Sequence, residues 1–327
     1  INTEDAIPVG PTISVNEGKK AQNRTYQDLL KNTNDEFNFE QLALSEVYKV
    51  DLKGNSTMWL PSAMYRSISF SPDGEYVMVS TVEKPFSYLV TYGRFPSKTM
   101  IYTKEASLVN TVLKVPLIED LPKGFMSTRT GRRNISWRSD KASSLIYVEA
   151  LDGGDPANET AFRDEVFELA APFKGNGKSI LKTVNRFSGI TWGDKNRAIA
   201  YDYWWNTRNT KVYLFNPSNS KQEVKTLFDR NYQDQYSDPG NFETKRNKYG
   251  SYVLDLKENK AFLLGNGYTE KGQFPFIDAM DFTNLKTTRL YQSELTDKKE
   301  SLRSYDAEKN RLLVRVESPS DYPNYFF

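Results

Sequence analysis

Apolar and polar residues alternate from Arg66 to Ser80, where Ile68, Phe70, Val77 and Val79 are spaced by polar neighbours on either side of Ser71-Pro-Asp-Gly. Period two is the signature of a strand with one covered face. Pro72 presets φ for a turn, Asp73 can bond its own backbone, and Gly74 supplies the left-handed conformation that closes it, so the stretch predicts a β-hairpin. Four more segments repeat the plan of apolar strand, acidic turn, apolar strand. They run from Asn134 through Asp140 to Glu149, from Gly189 through Asp194 to Tyr201, from Tyr252 through Glu258 to Leu264, and from Ser304 through Glu308 to Val316. The turn acids Asp73, Asp140, Asp194, Glu258 and Glu308 recur every 50 to 67 residues. Propeller blades repeat at about 40 to 50 residues of four antiparallel strands, so this period predicts a propeller with long loops between strands.

The expected fold is therefore all-β, an incomplete β-propeller of about four full blades with half-blades at both ends. Residues 1–38 are expected to be a lead-in with a short helix, in which Thr25 and Asp28 imitate a capping box, Tyr26, Leu29 and Leu30 share a face, and Asn32-Thr-Asn-Asp ends the helix. The propeller portion covers 39–327, with a partial blade at 39–60, full blades at 64–118, 131–184, 187–228 and 249–292, and a partial blade at 301–327. The first partial blade consists of strands at Leu42 to Leu52 and Thr57 to Leu60. The two half-blades leave two outcomes, closure into a five-bladed ring or an open arc that self-associates through its unpaired edge strands, and the open arc is the one expected because close-packed sheet interfaces resist the repacking that closure demands. The chain opens at Ile1 without an initiator Met or a signal sequence, which is expected of a piece of something longer.

Composition narrows the chemistry. The chain has 327 residues, a formal net charge of +2 and 13% aromatic residues, with basic side chains scattered among acids, so no one-sided stripe suits nucleic acid. No apolar run approaches a membrane span. Cysteine and histidine are both absent. A Ser-His-Asp or Cys-His nucleophile and nearly every catalytic zinc site need an imidazole or a thiolate, so this chain cannot supply one. No Gly-x-Ser-x-Gly elbow occurs either.

Several motif matches have simpler readings. Ser179-Ile-Leu-Lys182 falls on an expected strand and Ser218-Asn-Ser-Lys221 in a turn. Gly175-Asn-Gly-Lys-Ser179 has Pro172 where a phosphate loop needs its first glycine, and reads as an outer hairpin. Asp152, Asp155 and Glu159 offer oxygen donors but not the spacing of an EF-hand, so they read as a solvated loop. No catalytic residue, metal ligand or cofactor is expected.

Recurring phrases carry a resemblance. Tyr26-Gln-Asp-Leu-Leu-Lys, Pro85-Phe-Ser-Tyr, Gly93-Arg-Phe-Pro, Ile135-Ser-Trp-Arg-Ser-Asp-Lys, Asp152-Gly-Gly-Asp, Leu227-Phe-Asp-Arg, Tyr236-Ser-Asp-Pro-Gly and Glu317-Ser-Pro-Ser-Asp-Tyr-Pro-Asn-Tyr resemble the propeller of glutamyl endopeptidases. These belong to the prolyl oligopeptidase group of serine peptidases. The resemblance runs from about residue 7 to the end. It implies a parent with an N-terminal propeller and a C-terminal α/β-hydrolase domain carrying Ser, Asp and His, with peptides as substrates and exported or organellar members among its relatives. The resemblance leads to the expectation of a hydrolase domain beyond Phe327 and of the family's first blades before Ile1, neither lying within these 327 residues.

The resemblance implies a non-catalytic propeller that gates and positions peptides for proteolysis. A free-standing interaction or carbohydrate-binding propeller is one alternative, and a glycosidase of propeller fold, which needs only two carboxylates, is another. Candidate substrate contacts are Arg132 and Arg133, in a basic cluster with Arg129 ahead of a blade's first strand, and Trp204 and Trp205, at the end of an aromatic strand. Arg208 follows the Trp pair, and a glutamate side chain would call for such a guanidinium.

Overall fold

The computed structural model describes residues 26–327. The lead-in expected at 1–24 and the cap expected at Thr25 lie outside the described residues. The described residues divide into two compact units, residues 26–160 with 167–178, and residues 161–166 with 179–327.

The first unit begins with α1 (Thr33–Ala43), which corrects the expected helix. Asn32-Thr-Asn-Asp starts a helix instead of ending one. Asn32 is its N-cap, with the side-chain oxygen accepting from Asp35 N at 2.9 Å, and Asp35 and Glu36 place negative charge in the first turn. Leu42 thus belongs to the helix, and the hairpin that follows is β1 (Ser45–Val50) with β2 (Ser56–Ala63). Asp51 closes its turn by accepting from Lys53 N and Asn55 N.

A four-stranded antiparallel sheet follows, formed by β3 (Tyr65–Phe70), β4 (Tyr76–Val82), β5 (Ser97–Thr103) and β6 (Leu108–Val115) in sequence order. Ile68 pairs with Val79 and Phe70 with Val77, the register that the turn sequence implies. Val77 and Val79 are buried with Leu60, Trp59 and Tyr102, whereas Ile68 is 40% and Phe70 65% exposed. The short β1–β2 sheet covers the middle strands of that face, with Tyr65 of β3 at its margin, and leaves Ile68 and Phe70 of β3 exposed. The opposite face carries Ile101 and Val112 into a core with Leu145, Tyr147, Leu169 and Phe173.

The next sheet comprises β7 (Arg133–Trp137), β8 (Ser144–Ala150), β9 (Asp164–Ala170) and β10 (Lys178–Thr183), again in sequence order. The division between the units passes through β9. The turn acids are structural hubs. Asp73 accepts from Glu75 N and from the Ser71 and Ser143 hydroxyls, which ties the first turn to the second. Asp140 receives the Nε and Nη2 of wholly buried Arg138, whose Nη1 reaches Glu168 at 2.9 Å.

In the second unit, β11 (Arg186–Asp194), β12 (Arg197–Trp204), β13 (Asn209–Phe215) and β14 (Lys225–Asn231) form another up-and-down sheet. Buried Asp202 organises it, accepting from Asn185 N and Asn185 Nδ2, from Lys211 N and from the Tyr213 hydroxyl. Burial and the bond to Asp202 raise the Tyr213 hydroxyl well above its ordinary pKa.

The expected strand at Tyr252 to Lys257 is broken in two. Beginning with β15 (Asn241–Phe242), the chain diverts into a hairpin of β16 (Thr244–Arg246) and β17 (Tyr252–Leu254) before β18 (Leu256–Lys257) rejoins the sheet. Asp255 marks the break: its N–H donates to Glu243 O, and its carboxylate meets Lys245 at 2.8 Å. The sheet continues through β19 (Lys260–Gly265), a small hairpin of β20 (Tyr268–Thr269) and β21 (Gly272–Gln273), then β22 (Phe276–Asp281) and β23 (Lys286–Gln292). Last come β24 (Lys299–Asp306), β25 (Arg311–Glu317) and β26 (Asn324–Phe326). Leu254, Leu263 and Met280 pack against Ile199 and Val212, and Tyr305 packs against Phe262 and Ile277.

The fold is all-β, an incomplete β-propeller built of antiparallel sheets. Among the described residues no helix is long and apolar enough to cross a membrane.

Candidate functional site

Antiparallel order places the start of β3, the end of β4, the start of β5 and the end of β6 at one end of their sheet. The segment before β7 runs across that end. Between them, within the first unit, lies a cavity of about 430 Å³. Arg66 enters it from β3, Arg129 from the segment that leads into β7, and Arg133 as the first residue of β7. Met78, Leu113 and Ile135 provide apolar wall, while Ser67, Ser80 and Thr99 provide hydroxyls. Among the described residues lining this cavity, none is Asp or Glu.

The three guanidiniums differ in exposure. Arg66 is open to solvent, whereas Arg133 is only 9% exposed. Arg129 donates to the carbonyls of Thr130, at 3.0 Å, and Arg132. Burial, with the charge of Arg133 added, holds its pKa below the ordinary arginine value. On its other side Arg129 borders a second cavity, also of about 430 Å³, where Glu119 and Asp120 stand. Glu119 accepts there from the Ser87 hydroxyl at 2.6 Å.

The Arg129 segment is clamped from below. Thr128 N donates to Gly154 O at 3.0 Å, and Gly154, at φ +79°, sits so close that a Cβ would stand 2.0 Å from Thr128 O. Asp152 fixes that glycine by accepting from Gly154 N, and Asn158 Nδ2 donates to Asp152 O. Asp155 accepts from Ala157 N. The acidic loop is thus a scaffold for the arginine segment. Among the described residues, no group of three or more Asp, Glu, His or Cys side chains is gathered as a metal site.

A scan against family models finds no match. A probable chloroplastic glutamyl endopeptidase of Oryza sativa subsp. japonica is 35% identical over 340 residues, covering 98% of this chain and 36% of that relative. Its counterpart in Arabidopsis thaliana is 34% identical over 339 residues, covering 98% and 35%. This chain matches a segment of the glutamyl endopeptidases. It spans about a third of the length of the curated relatives. Among solved structures, the β-propeller domain of the Trilobed protease from Pyrococcus furiosus aligns with a TM-score of 0.39 and 12% identity, over 88% of this chain and 74% of that one. An oligogalacturonate lyase in complex with manganese aligns at 0.42 and 12%, over 86% and 70%.

In this chain, the arginines and tryptophans named from sequence fall in two places. Arg133 lines the arginine cavity. Arg132 beside it turns away, lying 4.5 Å over the Tyr147 ring and donating to Val112 O and to Gly175 O at 2.6 Å, which makes it a brace between strands. Trp204, Trp205 and Arg208 belong to the second unit. Trp204 is buried, with the Arg163 guanidinium 3.8 Å over its ring. Trp205 remains 39% exposed under Arg208, which lies 3.9 Å over its ring and donates to Trp205 O. Arg66 escapes the sequence reading, since a lone basic residue at the start of a strand carries no signal until the sheet is assembled.

Proposed function

We propose that this chain is the non-catalytic propeller part of a glutamyl-endopeptidase-like serine peptidase, and that it admits and positions peptide substrates for a partner α/β-hydrolase domain. The observation that carries the reading is the match over 98% of the chain to a part of much longer peptidases. The composition agrees, because a chain without histidine holds no Ser-His-Asp triad of its own. Loops at the ends of up-and-down sheets form surfaces suited to contacting an extended peptide, and rigid sheets behind them keep those surfaces in place. The Trp205–Arg208 stack offers one such contact, an aromatic face topped by a cation.

The test is a chimera in which this chain replaces the matching segment of the rice relative. A short glutamyl peptide and a folded protein containing the same sequence serve as paired substrates. The expected result is cleavage of the peptide with the folded protein spared. Comparable cleavage of both, or no change when the segment is deleted, overturns the proposal.

A further inference from the structure

The hairpin of β16 and β17 breaks a pattern that the other sheets keep. β3, β7 and β11 each open their sheet as a single strand, whereas residues 243–255 leave the sheet edge between β15 and β18, both of which pair with β19. Interrupting a strand gives up ladder hydrogen bonds, and irregularities of this kind recur where a sheet is re-aimed beside a functional site. The first strands of three successive sheets meet around the insertion. β17 lies against β11, where a Cβ on Gly193 would stand 3.1 Å from Leu254 Cδ1. On the other side Glu243 accepts from Tyr305 N of β24 at 3.2 Å, Lys245 approaches Glu308 at 4.0 Å, and Lys257 Nζ donates to Ala307 O at 2.9 Å. Propeller sheets stand around a central channel with their first strands innermost, so an insertion bracketed by β11 and β24 stands on the channel side of this unit.

The insertion is fixed at both ends. Leu254 is buried among Ile199, Leu263 and Met280, and Asp255 N donates to Glu243 O at 2.9 Å. At the tip Asn247 Oδ1 accepts from Tyr249 N and Ser251 N, and Gly250 takes φ +75°. Between them Arg246 lies 5.2 Å over the Tyr252 ring and Lys248 4.9 Å over that of Tyr249, which gives the ribbon bulky sides. A ribbon held in this way narrows an opening without acting as a flexible lid. Its two strands take up about 10 Å, whereas an extended peptide needs about 5 Å and a helix about 10 to 12 Å. We propose that the β16–β17 hairpin is a fixed constriction on the channel side of the propeller, which passes a single extended peptide and holds back helices and folded chain. The proposal rests on the peptide-admitting reading above and names the element that sets its size limit.

The experiment uses the chimera with the rice relative and two substrates, a linear glutamyl peptide and a folded protein carrying the same sequence in an exposed loop. In one variant residues 246–252 are replaced by Gly-Gly, which removes the ribbon and keeps Leu254 and Asp255. In the other, Tyr249→Ala and Tyr252→Ala are combined. The ratio of folded-protein to peptide cleavage should rise at least tenfold in the shortened variant and severalfold in the double Ala variant. The double variant keeps the backbone of the hairpin, so it tests the constriction even where shortening disturbs the fold. A ratio that stays level or falls in both variants overturns the proposal. If the unaltered chimera and both variants all spare folded protein, the constriction fails and the gating reading stands. If the unaltered chimera already degrades folded protein, the gating reading fails and the constriction with it.

Discussion

Replacing Asp202 by Asn tests how the second unit holds its sheet together. Each oxygen of Asp202 accepts two donors: Oδ1 takes Asn185 Nδ2 and Lys211 N, and Oδ2 takes Asn185 N and the Tyr213 hydroxyl. Asparagine keeps the shape but turns one oxygen into an NH₂. With NH₂ in the Oδ2 place, Tyr213 can reverse its hydroxyl and accept, yet Asn185 N faces another donor. With NH₂ in the Oδ1 place, the Asn185 amide can flip, yet Lys211 N is orphaned. In either case one buried backbone N–H loses its acceptor, at about 1 to 3 kcal/mol, and the remaining bonds lose the strengthening of a charged partner. A loss of about 2 to 3 kcal/mol follows. At roughly 2 to 4 °C per kcal/mol for a body of this size, melting should fall by about 4 to 12 °C. Circular dichroism on Asp202→Asn and Asp202→Ala measures it, with the Ala variant lower still because all four donors are then orphaned. An Asn variant that melts within a degree of the parent would refute the reasoning.

Three further outcomes are expected. Burial, and then the charge of Asp255, raise the Glu243 carboxyl pKa against the opposing N–H of Tyr305, so the stability linked to its proton is full below about pH 4.3 and is lost as pH rises through the raised value. Glu243→Gln should therefore melt higher than the parent at pH 7, with the gap closing towards pH 4; a gap independent of pH contradicts this. Gly154→Ala must push Thr128 O aside and strain a positive φ, so it should cost about 1 kcal/mol or more in denaturant unfolding. The purified chain should not cleave glutamyl peptides, and turnover that tracks the protein through purification to homogeneity would show otherwise.

The sheets were legible because their turns are local. Pro72-Asp-Gly and the later acidic turns specify a reversal within four residues, and the alternation on either side sets the register that Ile68 and Val79 show. What escaped depends on distant partners. Asn32-Thr-Asn-Asp suits either end of a helix by composition, and the bond from Asp35 N to Asn32 decides for the start. The break at Asp255 is set by Glu243 and Lys245, and the apolar sequence on either side of it gives no sign. At the candidate site, clustering singled out Arg133 as an arginine ahead of a strand, yet its neighbour Arg132 is consumed by Tyr147 and two carbonyls. The cavity itself arises only when β3 and the segment before β7 are brought together.

The up-and-down order of the sheets has a kinetic consequence. Strand n pairs with strand n+1 in the sheets starting at β3, β7 and β11, so nearly every ladder closes a short loop. Short loops cost little entropy to close, and chains rich in them reach their native pairing quickly. On a ribosome, each such sheet has all of its own strands as soon as its last one has emerged, well before the next has been synthesised. The sheet of β15, β19, β22 and β23 is the exception, because β15 must wait for β19 while the β16–β17 hairpin forms in between. Folding of that sheet should be the slow step of the second unit, and the interval in which its edge stays open is when a chaperone would be of most use.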